Sequence, residues 1–111
     1  MHQLLSKLEL VYFYVLDWAP LVSDIREQYP LLPIEETMAI AQHLGIRHPI
    51  DLQTKHPIVM TTDFLVTVRR VSKTRDYART IKYAQDLQSQ RTIEKFEIEH
   101  RYWQARNIDW G

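Results

Sequence analysis

Two side chains of opposite charge, Asp63 and Lys82, are the first candidates for chemistry in this sequence. They lie in two runs rich in β-branched and aromatic residues, 58–68 and 77–82, joined by a polar, charged link. Two such runs around a short polar link are typical of a β-hairpin. Because side chains alternate between the faces of a strand, a hairpin centred at 72–73 would place Asp63 opposite Lys82. Such a pair is either a structural ion pair or part of a metal-dependent phosphodiesterase site.

Glu9 is the third candidate. The run 4–16 repeats apolar residues at helical spacing, and Glu9 projects just beyond the edge of this stripe. A carboxylate there is partly desolvated and needs a partner. The alternative is an exposed residue on the flank of the helix.

These residue types can supply the parts of phosphodiester hydrolysis. Mg²⁺ prefers oxygen ligands such as carboxylates, backbone carbonyls and water. The ion activates the attacking water and stabilises charge on the phosphate oxygens, and a lysine adds to the second effect. In this chain the parts are Glu9, Asp63 and the segment Thr80-Ile81-Lys82. Spacing alone leaves the ion-pair interpretation open.

The elements that must position these residues form a mixed α/β pattern. A strand is predicted at 21–29, a helix at 34–44 and a long helix at 91–105. With the first helix and the hairpin, the predicted order is α-β-α-β-β-α, followed by a truncated final strand at 108–110. The buried side of the helix at 34–44 is predicted to be Met38, Ala41 and Leu44.

The long helix is expected to begin with Thr92 as its N-cap. Its charged positions, Glu99 among them, are assigned to the solvated side. Its apolar stripe is predicted to be Ile93, Phe96, His100 and Trp103.

Length and composition limit the class of protein. A chain of 111 residues with 45% hydrophobic residues fits one domain with a compact core. No apolar run reaches the length of a membrane span, the N-terminal residues do not have the pattern of a signal peptide, and cysteine is absent, so a cytoplasmic protein is expected. The histidines show no zinc-binding spacing, and neither a glycine-rich phosphate loop nor a nucleophile elbow is present.

The charge is unevenly distributed. The formal net charge is zero, yet between Phe64 and Lys82 the only acidic residue is Asp76. A basic hairpin on an acidic body fits contact with phosphate, and a solvated hairpin tip is the alternative. The candidate DNA contacts are Arg69, Arg70, Lys73, Arg75 and Arg79.

Five blocks of the sequence together resemble one family. They are LLSKLEL at 4–10, SDIREQYPLLP at 23–33, GIRHP at 45–49, VMTTDFLV at 59–66, and the segment from RTIEK to RYW at 91–103. In this order they resemble the TnsA endonuclease subunits of heteromeric transposases. The resemblance covers nearly the whole chain, which is expected to be the N-terminal endonuclease domain of that family and a fragment of a longer protein.

The resemblance implies a restriction-endonuclease-like fold of the PD-(D/E)XK type, with an αβββαβ core. It also implies that Glu9 and Asp63 bind Mg²⁺, for which Mn²⁺ can substitute, and that Lys82 completes the catalytic site. The backbone carbonyl of Ile81 is expected as a further metal ligand.

Position 80 departs from the family pattern. The family usually has glutamine or glutamate two residues before the lysine, whereas this chain has Thr80. A threonine can hydrogen-bond a metal-bound water but adds no charge. Thr80 and Gln28 are therefore expected to support the metal site without binding the ion directly.

The resemblance further implies cleavage at the 5′ ends of a transposon in a bacterial cytoplasm. The implied partners are transposon-end DNA, an integrase-like transposase subunit, and an ATP-dependent regulator that engages a C-terminal domain absent from this chain. Two alternatives are a non-catalytic assembly and DNA-binding subunit and a stand-alone restriction-type nuclease.

Overall fold

A computed structural model describes residues 21–111. Its elements are β1 (Val22–Pro30), α1 (Ile34–Leu44), β2 (Thr61–Arg69), β3 (Thr74–Arg79), a 3-10 helix (Ala84–Gln88), α2 (Gln90–Gln104) and β4 (Asp109–Trp110). The strands form one sheet in the order β1-β2-β3-β4, antiparallel except for the parallel pairing of β3 with β4. A mixed α/β fold is therefore confirmed for this part of the chain. The helix predicted at 4–16, with Glu9, lies outside the described residues.

Helix α1 has the predicted bounds because strong signals mark both ends. Pro33 precedes it in an extended conformation, and Gly45 ends it in the left-handed region at φ 73°. The predicted buried side is wrong at Met38, which is exposed, whereas Thr37 is fully buried. A polar residue can occupy this position because the Thr37 hydroxyl contacts the Ile34 carbonyl oxygen (3.0 Å) and His48 Nε2 (2.8 Å).

The hairpin of β2 and β3 is present, but its predicted register is wrong. Backbone groups of Arg70 and Lys73 exchange two hydrogen bonds (2.7 and 3.2 Å), so the turn consists of residues 71–72. The pairing of Phe64 with Arg79 follows from this turn. Extending it by one residue places Asp63 beside Thr80 rather than Lys82. The strand predicted at 77–82 instead begins at Thr74 and ends at Arg79.

Strand β2 runs through the middle of the core and contributes to both faces of the sheet. Phe64, Val66 and Val68 pack with Ile81 on one face. On the other face, Leu65 belongs to a cluster with Leu31, Ala78, Tyr102 and Trp103. Successive side chains of a strand point to opposite faces, which explains how one strand serves both clusters.

Helix α2 differs from its prediction in its cap and in its buried side. Ser89, not Thr92, is the N-cap, and its hydroxyl accepts a hydrogen bond from the Thr92 N–H at 3.2 Å. Ile93 is exposed, and the buried residues are Ile98, Glu99, Tyr102 and Trp103. The buried stripe is therefore rotated around the helix and includes a carboxylate. No helix within 21–111 combines the length and apolarity that a bilayer crossing requires.

Candidate functional site

Asp63 lies near the start of β2, where its two carboxylate oxygens have different partners. Oδ2 accepts a hydrogen bond from the Ile81 backbone N–H at 2.8 Å, and Oδ1 accepts one from Gln28 Nε2 at 3.4 Å. The Gln28 side-chain oxygen also accepts from the Thr61 hydroxyl at 3.1 Å. The predicted residues Asp63, Gln28 and Ile81 are thus brought together, and the carboxylate is fixed from two sides.

Gln28 has an unusual backbone conformation for a residue within a strand. Its φ is 48°, in the left-handed region that non-glycine residues adopt only when their surroundings hold them there. Both ends of its side-chain amide are bound, one to Asp63 and one to Thr61. The backbone of this edge strand is therefore strained at Gln28, the residue that donates a hydrogen bond to the Asp63 carboxylate.

Lys82 lies just beyond the end of β3 and is surrounded by aromatic rings. Its Nζ donates to the Thr80 carbonyl oxygen at 3.3 Å and lies 4.3 Å from the ring centre of Trp110 and 5.8 Å from that of Phe96. Although the residue as a whole is exposed, its ammonium group is partly buried. This desolvation is the largest cause of the lowered pKa of Lys82, while the charges of Glu99 and Asp63 oppose it.

Asp63 and Lys82 do not form the direct ion pair that spacing left open. Among the described residues, the salt bridges within 4.0 Å involve other side chains. Asp63 instead contacts the backbone next to Lys82, through the N–H of Ile81. The two charged groups therefore share a site without neutralising each other by contact.

Glu99 is a residue of this site that sequence reasoning missed. It was assigned to the solvated side of its helix, but only 4% of its surface is exposed. Its Oε2 accepts hydrogen bonds from the hydroxyls of Thr62 (2.6 Å) and Thr80. These hydroxyls in turn accept from the indole N–H groups of Trp103 (2.6 Å) and Trp110 (3.1 Å). Two series of hydrogen bonds, each running from a tryptophan through a threonine, thus end at the same carboxylate oxygen of Glu99.

The environment of Glu99 favours the protonated carboxyl. Burial is the largest cause of its raised pKa, and the charge of Asp63 acts in the same direction. Hydrogen bonds from Thr62, Thr80 and Trp110 oppose this effect. A signal for Glu99 did exist in the sequence: it is adjacent to Ile98 and one helical turn before Trp103, so a shift of the stripe by one position would have included it.

Thr80 is placed differently from its predicted role. A hydroxyl has one proton to donate, and that of Thr80 is given to Glu99. One of its acceptor positions is taken by Trp110. Thr80 can therefore still accept a hydrogen bond from a bound water, but it cannot donate one in this arrangement.

The oxygen atoms of the Asp63 carboxylate and the Ile81 carbonyl are of the type that hard divalent cations such as Mg²⁺ prefer. The Asp63 carboxylate keeps free lone pairs after it has accepted its two hydrogen bonds. The Ile81 carbonyl belongs to the same residue whose backbone N–H donates to Asp63. Within 21–111, no three histidine, aspartate or glutamate side chains converge on a common metal position. Mg²⁺ is commonly held by one or two carboxylates together with waters and substrate phosphates, and these residues fit that pattern.

The basic residues predicted to contact DNA fall into two groups. Arg79 is bound at the site end of β3, where its guanidinium contacts Asp109 (2.8 Å) and the Ala78 carbonyl oxygen (2.9 Å). The other residues lie at the opposite end of the hairpin and are exposed. They are Arg69, Arg70, Lys73 and Arg75.

Two comparisons with known proteins relate this chain to one family. The family model described as TnsA-like endonuclease N terminal matches residues 19–111. The Transposon Tn7 transposition protein TnsA of Escherichia coli is 47% identical over 109 residues, which is 98% of this chain and 38% of that protein. The chain therefore spans less than half the length of this relative.

Proposed function

Because the chain belongs to the TnsA-like endonuclease N-terminal family, we propose that it is the catalytic domain of a metal-dependent DNA endonuclease acting within a transposase. One observation carries the proposal: the Ile81 N–H binds the Asp63 carboxylate, which ties the strand aspartate to the segment that bears Lys82. This contact supports a restriction-endonuclease-like PD-(D/E)XK core, in which the aspartate and the lysine lie on neighbouring strands. That core, with Glu9 on its first helix, is part of the proposal.

The roles of the residues follow from their chemistry. Asp63, the Ile81 carbonyl and Glu9 would hold Mg²⁺, or Mn²⁺ in its place. The bound ion supplies an activated water and charge stabilisation at the phosphate. Asp63 is kept in position by Ile81 and Gln28. Lys82 places a positive charge where the phosphate oxygens gain negative charge, and its partly buried ammonium strengthens that interaction.

The relative's name ties that protein to transposition, which supports a similar process for this one. We propose cleavage at the 5′ ends of a transposon in a bacterial cytoplasm. The proposed partners are an integrase-like transposase subunit that processes the 3′ ends and an ATP-dependent regulator.

Strand cleavage of labelled transposon-end DNA tests this function, with Mg²⁺ or Mn²⁺ and with or without the partner transposase. Asp63→Asn and Lys82→Ala should each lower cleavage by at least about 100-fold, the scale of removing one charge-stabilising group. Asp76→Asn, on the same hairpin, is the matched control and should cut like the parent. Equal cleavage by Asp63→Asn would refute the site assignment. Full activity without the partner would favour a stand-alone nuclease.

A non-catalytic assembly subunit is the second candidate, and Thr80 favours it. This residue brings no charge to the site, and its hydroxyl proton is given to Glu99. Calorimetric titration with Mg²⁺ and Mn²⁺ separates the two functions. Retained partner binding without metal binding would support the assembly role, whereas metal binding that Asp63→Asn removes would support the nuclease.

A further inference from the structure

The tip of the hairpin, residues 69–75, carries a dense group of unneutralised positive charges. Arg69, Arg70, Lys73 and Arg75 are basic, and no acidic residue lies among them. In the described part of the chain, none of these four side chains has a salt-bridge or hydrogen-bond partner. Because the whole chain has zero net charge, this concentration creates a local positive potential.

The tip also has a shape that can receive a ligand. Arg70, Lys73 and Arg75, together with Tyr77, line one concavity of about 290 Å³. Three cations around a shared depression can contact neighbouring phosphates at once. A purely solvated tip would have no need to gather them on one side.

Val71 at the apex contradicts ordinary turn chemistry. Two-residue hairpin turns favour asparagine, aspartate and glycine, because these residues adopt positive φ and interact well with water. Here the turn is Val71-Ser72, neither residue has a positive φ, and Val71 is fully exposed. An apolar side chain that is fully exposed buries no surface in the fold. An apolar side chain flanked by cations is, however, the arrangement with which proteins enter a DNA groove.

We propose that the hairpin tip binds duplex DNA, with Arg69, Arg70, Lys73 and Arg75 on the phosphates that flank a groove and Val71 inside it. This inference rests on the proposed function for its partner, DNA, and adds where that DNA is held. Val71, in the turn that follows β2, is eight residues beyond Asp63, which corresponds to at most about 26 Å at roughly 3.3 Å per residue. At about 3.4 Å per base pair, the contact lies within about eight base pairs of the bond that is cut.

Salt-dependent binding tests the phosphate contacts. Fluorescence anisotropy of labelled duplex DNA is measured with the full-length protein, without divalent metal, at several salt concentrations. The slope of log K against log salt is negative, and each lost phosphate contact reduces its magnitude by about 0.9, so Arg70→Ala/Lys73→Ala/Arg75→Ala should reduce it by about 2.7. Two single lysine variants serve as a matched pair. Lys73→Ala should reduce the magnitude of the slope by about 0.9, whereas Lys95→Ala on α2 should leave the slope unchanged. An unchanged slope in the triple variant overturns the proposal.

Val71 is tested separately from the charges. Val71→Thr keeps the β-branched shape and removes apolar surface, so affinity should fall about fourfold while the salt slope stays the same. Val71→benzoylphenylalanine should crosslink on irradiation to bases within about eight base pairs of the cleavage position. Crosslinks only to the partner transposase, with DNA affinity unaffected in the triple variant, would identify a protein-docking element and overturn the proposal.

The two proposals can fail independently. Asp63→Asn should lose cleavage and keep the parent's salt slope, because it leaves the tip intact. If Asp63→Asn still cuts but the triple variant loses its slope, the catalytic assignment fails and the DNA contact stands. If Asp63→Asn abolishes cleavage and the triple variant binds normally, the reverse holds.

Discussion

The two ends of the same hairpin follow opposite designs. At the site end, Asp63, Thr80 and Glu99 are held by hydrogen bonds, and within the described residues no buried side-chain polar atom lacks a partner. At the hairpin tip, four cations have no partner among residues 21–111, and Val71 is fully exposed. Fixed groups suit chemistry that needs defined geometry, and free charges suit long-range attraction. Substitutions at the site end should therefore change stability, and those at the tip should change binding alone.

Glu99→Ala should show the largest loss of stability. The truncation leaves the Thr62 and Thr80 hydroxyls without their acceptor, at about 1–3 kcal/mol for each buried group, and it opens a cavity. Urea unfolding at pH 7 measures the loss. Glu99→Gln is the control, because its amide oxygen can accept both hydroxyls and the amide is uncharged, like the protonated carboxyl that burial favours. It should lie within about 1 kcal/mol of the parent. Equal losses in both variants would mean that the hydrogen bonds are not what stabilises this end.

Trp110→Phe should have an intermediate effect. The phenyl ring keeps an aromatic face for the Lys82 ammonium but loses the N–H that donates to Thr80, at about 1 kcal/mol. Trp110→Leu removes both interactions. We expect cleavage to fall clearly more in the leucine variant than in the phenylalanine variant, since Lys82 then loses its cation–π partner. Equal cleavage by the two variants would show that the ring does not position Lys82.

The Glu36–Arg106 pair lies away from both ends and gives a smaller effect that depends on pH. The Arg106 guanidinium binds both Glu36 oxygens (2.5 and 2.8 Å) and lowers the carboxyl pKa below its ordinary value near 4.5, while burial opposes this shift. The contribution to stability is therefore present above pH 4.5 and is lost as the pH falls through the lowered pKa of the folded protein.

Because this pair is partly exposed, its contribution should be below about 1 kcal/mol. Urea unfolding of Glu36→Gln and the parent should differ at pH 7 and converge as the pH falls through the lowered pKa of Glu36. Glu35→Gln, at an exposed neighbouring position, is the matched control. A difference that persists unchanged at low pH would contradict the assigned cause.

The triple variant at the tip, Arg70→Ala/Lys73→Ala/Arg75→Ala, should have the smallest effect on stability. Exposed side chains without partners usually change the free energy of unfolding by no more than about 0.5 kcal/mol each, and removing mutual repulsion offsets part of that. Thermal unfolding followed by circular dichroism is the measurement. A loss comparable to that of Glu99→Ala would end the contrast between the two ends of the hairpin.

Features that depend on residues close together in the sequence were predicted more accurately than features that depend on distant contacts or on an unusual turn. The bounds of α1 could be predicted because Pro33 and Gly45 act locally on the backbone. The hairpin could be predicted from its β-branched runs, but its register could not, because a Val71-Ser72 turn carries none of the usual residues.

The buried position of Glu99 depends on contacts far away in the sequence. Its partners are 37 and 19 residues away: Thr62 lies on β2, and Thr80 directly follows β3. Helical periodicity classifies a glutamate as polar and hence solvated, and only the tertiary fold supplies the hydroxyls that allow its burial. Asp63 and Lys82 were singled out by residue type alone, and the Ile81 N–H contact brings their segments together although the predicted register was wrong.

The two indole groups that donate into the Glu99 network also give the protein an optical reporter. The chain has three tryptophans, and two of them, Trp103 and Trp110, are hydrogen-bonded to the threonines that hold the carboxylate. Indole emission shifts with hydrogen bonding and with nearby charge. A cation or a phosphate arriving beside Asp63 should therefore change the intrinsic fluorescence, so that occupancy can be followed in real time on unlabelled protein.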